Sequence, residues 1–489
     1  MKYNVICMQI KIPKQLAEII SAFQENNFEI YIVGGAVRDT LLGNNTYDWD
    51  LTTNAAPEDM LKIFPTAFYD NSFGTVGIEN EIEGTRPYEI TTFRTEAGYS
   101  DTRHPDKIEW GKSLEEDLAR REATVSSMSF KILNPKHEIR NKSQITNHKP
   151  QTVTESVELI DPFNGKSDLE NRIFRAVGDP DERYREDALR MMRAIRISAQ
   201  LGFTIEEKTF NGIKNNAHLI HRIANERVGD EIIKIFKSNY PYDGMLLFKN
   251  SGLMKEVLPE MESTFGVEQK SPGRHHIYDV GTHSLMALKY CPSKDPIVRF
   301  ATFIHDSGKA KTYKKLKSGT ITFYNHELIS TNNAYNIAKR LRFSKKDIEK
   351  LTKLVRWHQF TVDERQTDSA IRRFIRNVGI ENVPDILDLR VGDRLGGGAT
   401  ETSWRLEEFK KRLIEVQKQP FSVRDLKISG DDVMKILDIP PGPKVGEILN
   451  LLFEKVVEKE VENNKDELIN ELKKPINRRS TDHNQKTKQ

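Results

Sequence analysis

Cysteine is nearly absent: Cys7 and Cys291 are the only two in 489 residues, and neither forms a CxxC. A disulfide framework and a thiolate zinc site are thereby excluded, and a reducing cytoplasm is the expected compartment. No apolar run approaches the roughly 20 residues that a membrane-spanning helix needs. Met1 to Lys14 lacks a charged region followed by a long apolar core, so no secretory signal is expected. Nor does one sign of charge dominate, because 75 Lys and Arg face 72 Asp and Glu, a net of +3. A nucleic-acid contact would need local basic concentration, as between Lys339 and Arg356. The chain is 37% hydrophobic and 30% charged, which fits a mostly helical protein with much solvated surface. Its length implies roughly two to four domains. Oligomeric state is left open.

Four zones and a tail separate along the chain. Residues 15–160 mix strand-like runs, Glu29 to Val33 and Tyr88 to Phe93, with short helices, and predict an α/β head. Within it, 134–155 is polar and unpatterned and reads as an inserted loop. Residues 161–260 show helical spacing, as in Leu189, Met192, Ile195 and Ala199. A second helical zone, 261–415, is rich in histidine, and 416–473 is a further helical region. The tail 474–489 is polar and is expected to be disordered. The fold class is therefore α+β, an α/β head followed by a long all-α body.

The head carries the chemistry. Tyr31-Ile32-Val33-Gly34-Gly35-Ala36-Val37-Arg38-Asp39 reads as a buried strand, a glycine pair and a short helix closed near Gly43. Glycines at such a turn let a phosphate approach backbone N–H groups beside the positive end of a helix. Arg38, one turn in, adds a charge-assisted contact. Asp48 and Asp50 follow, two residues apart. On a strand that spacing sets both carboxylates on one face, close enough to share divalent cations. Glu89, on the second strand-like run, is placed to be a third acid.

The series Gly34-Gly35, Arg38-Asp39, Asp48-Trp49-Asp50 resembles the head of the class II tRNA nucleotidyltransferase and bacterial poly(A) polymerase group. The likeness continues through Gly98 to Pro105, the family's flexible loop, and Glu116 to Glu122, and it covers nearly the whole chain. The resemblance implies a polymerase β-like head, with Asp48 and Asp50 as magnesium ligands and Gly34, Gly35 and Arg38 on the triphosphate. Arg120 and Arg121 would line the nucleotide site. One segment departs from the family pattern Arg-Arg-Asp-Phe-Thr-Ile-Asn-Ala. Here it runs Arg120-Arg121-Glu122-Ala123-Thr124-Val125-Ser126-Ser127. A longer acid, a lost aromatic and a lost amide bear on efficiency and ribose selection rather than on the reaction class.

A base reader follows in the stretch from Asp179-Pro180 to Ala194, read as one helix. Asp187 and Arg190 fall on one face of it, with Arg193 a further turn on. Cytosine and adenine share an edge, an amino donor beside a ring-nitrogen acceptor. A carboxylate accepts from the first while a guanidinium donates to the second. Guanine and uracil present the reverse, so the wrong base leaves buried polar groups unpaired. The Glu-Asp-x-x-Arg form is the one this family uses as its base template. A protein template for C and A suits CCA addition to tRNA from CTP and ATP. The retained loop, Gly98 to Trp110, favours CCA or A addition over CC-only addition.

Farther on, His283, His305-Asp306 and Asp393 resemble the HD superfamily, with Phe303 to Lys309 as its signature. Imidazole and carboxylate ligands from separate helices hold a divalent metal whose water attacks a phosphoester. His326 and His358 are candidates for a second ion. The leading expectation is a CCA-adding tRNA nucleotidyltransferase. Alternatives are an A-adding enzyme or poly(A) polymerase, an HD phosphohydrolase with a decayed head, and a non-catalytic RNA-binding protein.

Overall fold

The computed structural model describes residues 6–70, 74–82, 85–97, 107–110, 113–133, 152–269, 277–360, 367–416, 423–457 and 460–474. An eight-stranded mixed sheet forms the head. In space its strands run Ile6–Pro13, Thr152–Ile160, Ser129–Ile132, Ile30–Val33, Asp50–Thr53, Tyr88–Thr92, Thr75–Ile78 and Phe68–Asp70. Both expected strands are there. Ile30–Val33 lies mid-sheet and is buried along its whole length, which its unbroken apolar sequence matches. The helix Lys14–Glu25 buries Leu16, Ile19, Ile20 and Phe23, a stripe at three- and four-residue spacing.

Two expectations about the head are corrected. The head begins at a strand, Ile6–Pro13, and not near residue 15. Ile6, Met8, Ile10 and Ile12 alternate with Cys7, Gln9 and Lys11, and this strand pairs antiparallel with Thr152–Ile160. The inserted loop cannot reach 155, because Thr152 to Glu155 are already in the sheet, opposite Pro13 to Ile10. The rest of that segment, 134–151, lies outside the described residues, as do 98–106 of the flexible loop and 475–489 of the tail.

Among the described residues beyond Ile160 the structure is helical apart from two short strand pairs, Ile173–Phe174 with Thr204–Ile205 and Lys314–Lys315 with Ile321–Thr322. The body is thus helical but not all-α. One continuous apolar core runs from Ile10 in the head to Val416. Within it Phe236 stacks on Phe300 at 4.8 Å between ring centres. Arg299 donates to the Phe236 and Ser238 carbonyls at 2.8 and 2.9 Å, tying the histidine-rich zone to the neck. A separate core, from Leu426 to Leu472, belongs to the C-terminal helices alone.

Candidate active site

Three elements bring the head's functional groups together. Gly34 ends the strand Ile30–Val33 at φ 73°, a conformation that disfavours any residue with a Cβ. A Cβ there would stand 3.0 Å from Arg121 Nη1 and 3.5 Å from Asp50 Oδ2, so glycine turn, acid and guanidinium share one small space. Gly35 opens the helix Gly35–Leu41, and Arg38 on it holds Asp39 through two bonds of 2.9 and 3.0 Å.

The acids are placed differently from each other. Asp50 opens its strand, level with Glu89 on the parallel neighbour. Asp48 precedes the strand, exposed, with Arg86 Nη1 3.3 Å from it. Asp48 thus lies just outside the strand on which the spacing sets it, with the buried Trp49 between the two acids. Asp48, Asp50 and Glu89 do not all lie within 4.8 Å of one another. Their fields still meet at Asp50, whose pKa is pushed up to about 6. Burial is the largest cause and Asp48 the next. Arg121 opposes them, and Glu89 adds to the rise. A partly buried carboxylate that two neighbouring acids push toward protonation is a group that a divalent cation would relieve.

Arg120 and Arg121 are oriented from below by Asp117, a fully buried acid. Arg120 donates to its Oδ1 at 2.7 Å, and Arg121 Nη2 stands 3.4 Å from its Oδ2. Burial opposes ionisation of Asp117, yet the two arginines outweigh it and lower its pKa. Asp117 was not singled out in the sequence. Its signal was the acid three and four residues ahead of an arginine pair on one helical turn.

The reader segment is two helices, not one. Pro180–Glu186 ends at Asp187, which is extended at φ −139°, and Leu189–Leu201 follows. The cause is local. The Asp187 carboxylate accepts the Leu189 N–H at 2.9 Å, offering the backbone a cap in place of continued helix. Asp187 and Arg190 are both buried but are engaged elsewhere. Asp187 Oδ2 lies 3.5 Å from Arg227, and Arg190 bonds Glu186 at 2.6 Å. Arg183 also holds Glu186 and donates to the Ala119 carbonyl at 3.0 Å, joining neck to head. Arg193 faces the departing segment. It is the main favourable influence on Glu122, which, against the cost of burial, is held in its charged form by Arg193, its own backbone, Arg121 and Arg190. Ala123 to Ser127 are buried around the short turn Thr124–Ser126, and Thr124 donates to Asp168 at 2.7 Å.

A second constellation lies in the body, where five helices converge at or near their ends. His283 comes from Val280–Tyr290, His305-Asp306 follow Pro296–Ile304, His326 opens His326–Arg340, His358 follows Lys345–Trp357, and Asp393 lies in Val383–Gly396. Asp306 receives His305 Nε2 at 3.2 Å and His326 Nε2 at 3.3 Å, with Lys309 Nζ at 2.7 Å. Asp393 stands 3.1 Å from His283 Nε2 and 3.6 Å from His305 Nε2. His305, His326 and His358 each turn Nδ1 to a backbone carbonyl, at 2.7 to 2.8 Å. That contact orients the ring and leaves Nε2 for the centre. Close helix packing makes this possible. A Cβ on Gly392 or Gly396 would meet Ala287 backbone at 2.6 and 2.5 Å, so larger residues would drive Asp393 from His283. Two triads, His283–His305–Asp393 and His305–Asp306–His358, have ligand atoms within 4.8 Å of one another. A cavity of about 480 Å³ opens onto them.

A mixed sheet that sets carboxylates beside a glycine turn, joined to a helical neck, is the frame of a nucleotidyltransferase. The comparisons agree. Residues 30–175 match the poly A polymerase head domain, 202–265 the RNA- and SrmB-binding site of polymerase A, and 320–472 tRNA nucleotidyltransferase domain 2. A CCA-adding enzyme of Ligilactobacillus salivarius is 33% identical over 475 residues, covering 94% of this chain and 96% of that one. One of Lactococcus lactis is 30% identical over 95% of this chain and 99% of its own. The chain belongs to the CCA-adding enzyme family. Its fold is that of the Bacillus stearothermophilus CCA-adding enzyme in complex with CTP, at TM-score 0.65 and 24% identity over 94% and 96% of the two chains. The Thermotoga maritima CCA-adding enzyme complexed with tRNA gives 0.58 at 18% identity, over 95% and 99%. No helix among the described residues is long and apolar enough to cross a membrane.

Proposed function

We propose that this chain builds the CCA end of tRNA in the cytoplasm, transferring CMP and then AMP from CTP and ATP. The observation that carries it is the meeting of Gly34, Asp50 and Arg121 in one space, with Arg121 joined to the neck's Arg190 and Arg193 through the field all three exert on Glu122. The Gly34-Gly35 backbone, Arg38 and Arg121 hold the triphosphate, and Asp117 keeps Arg120 and Arg121 in place. Asp187 and Arg190 exchange their present partners for the Watson–Crick edge of cytosine or adenine. Asp48 and Asp50, with Glu89 beside them, would hold magnesium, which when bound supplies positive charge at the attacking and leaving oxygens. The tRNA 3′ oxygen bonds to the α-phosphorus as it loses its proton. The bond to the bridging oxygen breaks and pyrophosphate leaves.

The test is incorporation of labelled CTP and ATP into tRNA transcripts lacking CCA, CA or A. Two C additions followed by one A are expected. A addition only after both cytosines would make the chain an A-adding enzyme, and long A tails on any RNA would make it a poly(A) polymerase.

A second reading is favoured by the histidine centre under its own cavity. We infer that it holds a divalent metal and hydrolyses phosphoesters. His283, His305, Asp306 and Asp393 would be ligands, with His326 and His358 beside them. The metal, when bound, lowers the pKa of its water. Lys309 and Arg390 line the cavity and neutralise the ester oxygens. Water adds to phosphorus, the ester P–O bond breaks, and the leaving oxygen takes a proton. Wild type should take up manganese or nickel by isothermal titration and His305→Ala should not, while both add CCA. Equal uptake by the two proteins would remove this reading.

A further inference from the structure

The histidine cavity has a neighbour. A second cavity, about 460 Å³, is lined by Phe360, Arg390, Arg394, Ser403, Trp404, Arg405 and Leu406. Arg390 lines both cavities, so the two adjoin at its side chain. The lining of the second cavity carries three arginines and no carboxylate. Trp404 is 61% exposed at the start of the helix Trp404–Val416, where an indole gains nothing from the core. That helix buries Leu406, Phe409, Leu413 and Val416, and Phe409 stacks with Phe360 at 5.3 Å. Trp404 is therefore outside the packing that fixes the helix.

Its neighbours show what it is matched to. Arg405 lies over the Trp404 ring at 5.3 Å, and Arg390 over Phe360 at 5.4 Å. Arg394 is anchored to the loop carbonyls of Thr400 and Thr402, at 3.0 and 3.4 Å, which fixes its guanidinium on the wall. An exposed indole flanked by arginines along a groove is a surface that single-stranded nucleic acid uses, while the second ring, Phe360, is buried behind it. Bases stack on such a ring while guanidinium groups follow the phosphates. A duplex keeps its bases stacked on each other and cannot offer one to an indole. An apolar protein partner would leave Arg405 and Arg394 without counter-charge, whereas Arg390 is already paired with Asp393 at 3.2 Å.

We propose that this groove binds a single-stranded RNA end, with a base on Trp404 and phosphates along Arg405, Arg394 and Arg390, so that its last phosphate reaches the histidine centre. Binding stands on the groove alone. What becomes of the strand there rests on the hydrolytic reading above.

The test uses the full chain and a fluorescent RNA hexamer of adenosines, read by anisotropy and by tryptophan quenching. Trp404→Ala should weaken binding about tenfold or more, and Trp404→Phe should restore most of it. Arg405→Ala should flatten the dependence of log affinity on log salt by about 0.7. CCA addition by the Trp404 variants, unchanged, shows that they are folded. Hexamer affinity unaffected by Trp404→Ala, or a hairpin duplex bound as well as the hexamer, would overturn the proposal. Wild type is also assayed with manganese and bis(4-nitrophenyl) phosphate. Absence of turnover there, with Trp404-dependent hexamer binding intact, leaves the groove standing and removes only the hydrolase.

Discussion

Asp50→Asn should cut CMP and AMP incorporation by about a thousandfold or more without lowering the melting temperature of the protein. The loss follows from removing the one acid on which the fields of Asp48, Glu89 and Arg121 meet. Asp48→Asn should be comparably inactive. The stability half of the prediction comes from the pKa, which is near 6 in the folded protein against 3.8 for a free aspartate. A raised carboxyl pKa means that the folded state holds the proton more tightly than the unfolded one. The stability this group allows is present in full below about pH 4 and falls as pH rises through 6. Above that the ionised carboxylate costs about 3 kcal/mol at most. Asparagine is free of that cost. The metal-free variant should therefore melt at or above wild type at pH 7.5, and the advantage should vanish near pH 4. Thermal scans at the two pH values, beside incorporation assays, check both parts. Retained incorporation would remove the mechanism, and a lower melting point at pH 7.5 would make Asp50 a structural residue.

Asp187→Asn should relax base choice far more than it weakens triphosphate binding. The carboxylate accepts only, whereas the amide can also donate, so uracil and guanine no longer meet a mismatched acceptor. Selection of CTP over UTP and of ATP over GTP, as ratios of kcat/KM, should fall about a hundredfold. Asparagine is the informative substitution because Asp187 also caps the helix Leu189–Leu201 through Leu189 N–H, and asparagine caps as well. Asp187→Ala would lose the cap, about 1 kcal/mol, and confuse the two effects. An unchanged CTP/UTP ratio would refute the reader.

What could be read from the sequence was what neighbours in the chain determine. Gly34-Gly35 at a strand end, the Asp48–Asp50 spacing and Glu89 on an alternating strand are local patterns, and the fold brings Asp50 and Glu89 level. His305-Asp306 is likewise a local signature, and the cluster assembles around it. What was missed depended on partners far away or on one side chain's competition with the backbone. Ile6–Pro13 has a short alternating pattern whose meaning appears only opposite Thr152–Ile160. The break at Asp187 comes from a capping bond that helical periodicity does not register. Arg227 beside Asp187, and Glu231, which holds Arg196 at 3.0 Å, come from a separate neck helix, Asn225–Lys237. Trp404 could not be distinguished from a core aromatic until its exposure was known.

The pairing of Ile6–Pro13 with Thr152–Ile160 also sets a schedule for synthesis. The strand Ile6–Pro13 waits long for its place in the sheet, because its partner is made about 140 residues later. At bacterial-scale elongation that is a wait on the order of ten seconds, far longer than a hairpin or helix takes to form. Throughout it an apolar, alternating segment is exposed with no neighbour. The nascent head is thus open to mispairing along that strand, and slow codons between 134 and 160 would lengthen the hazard.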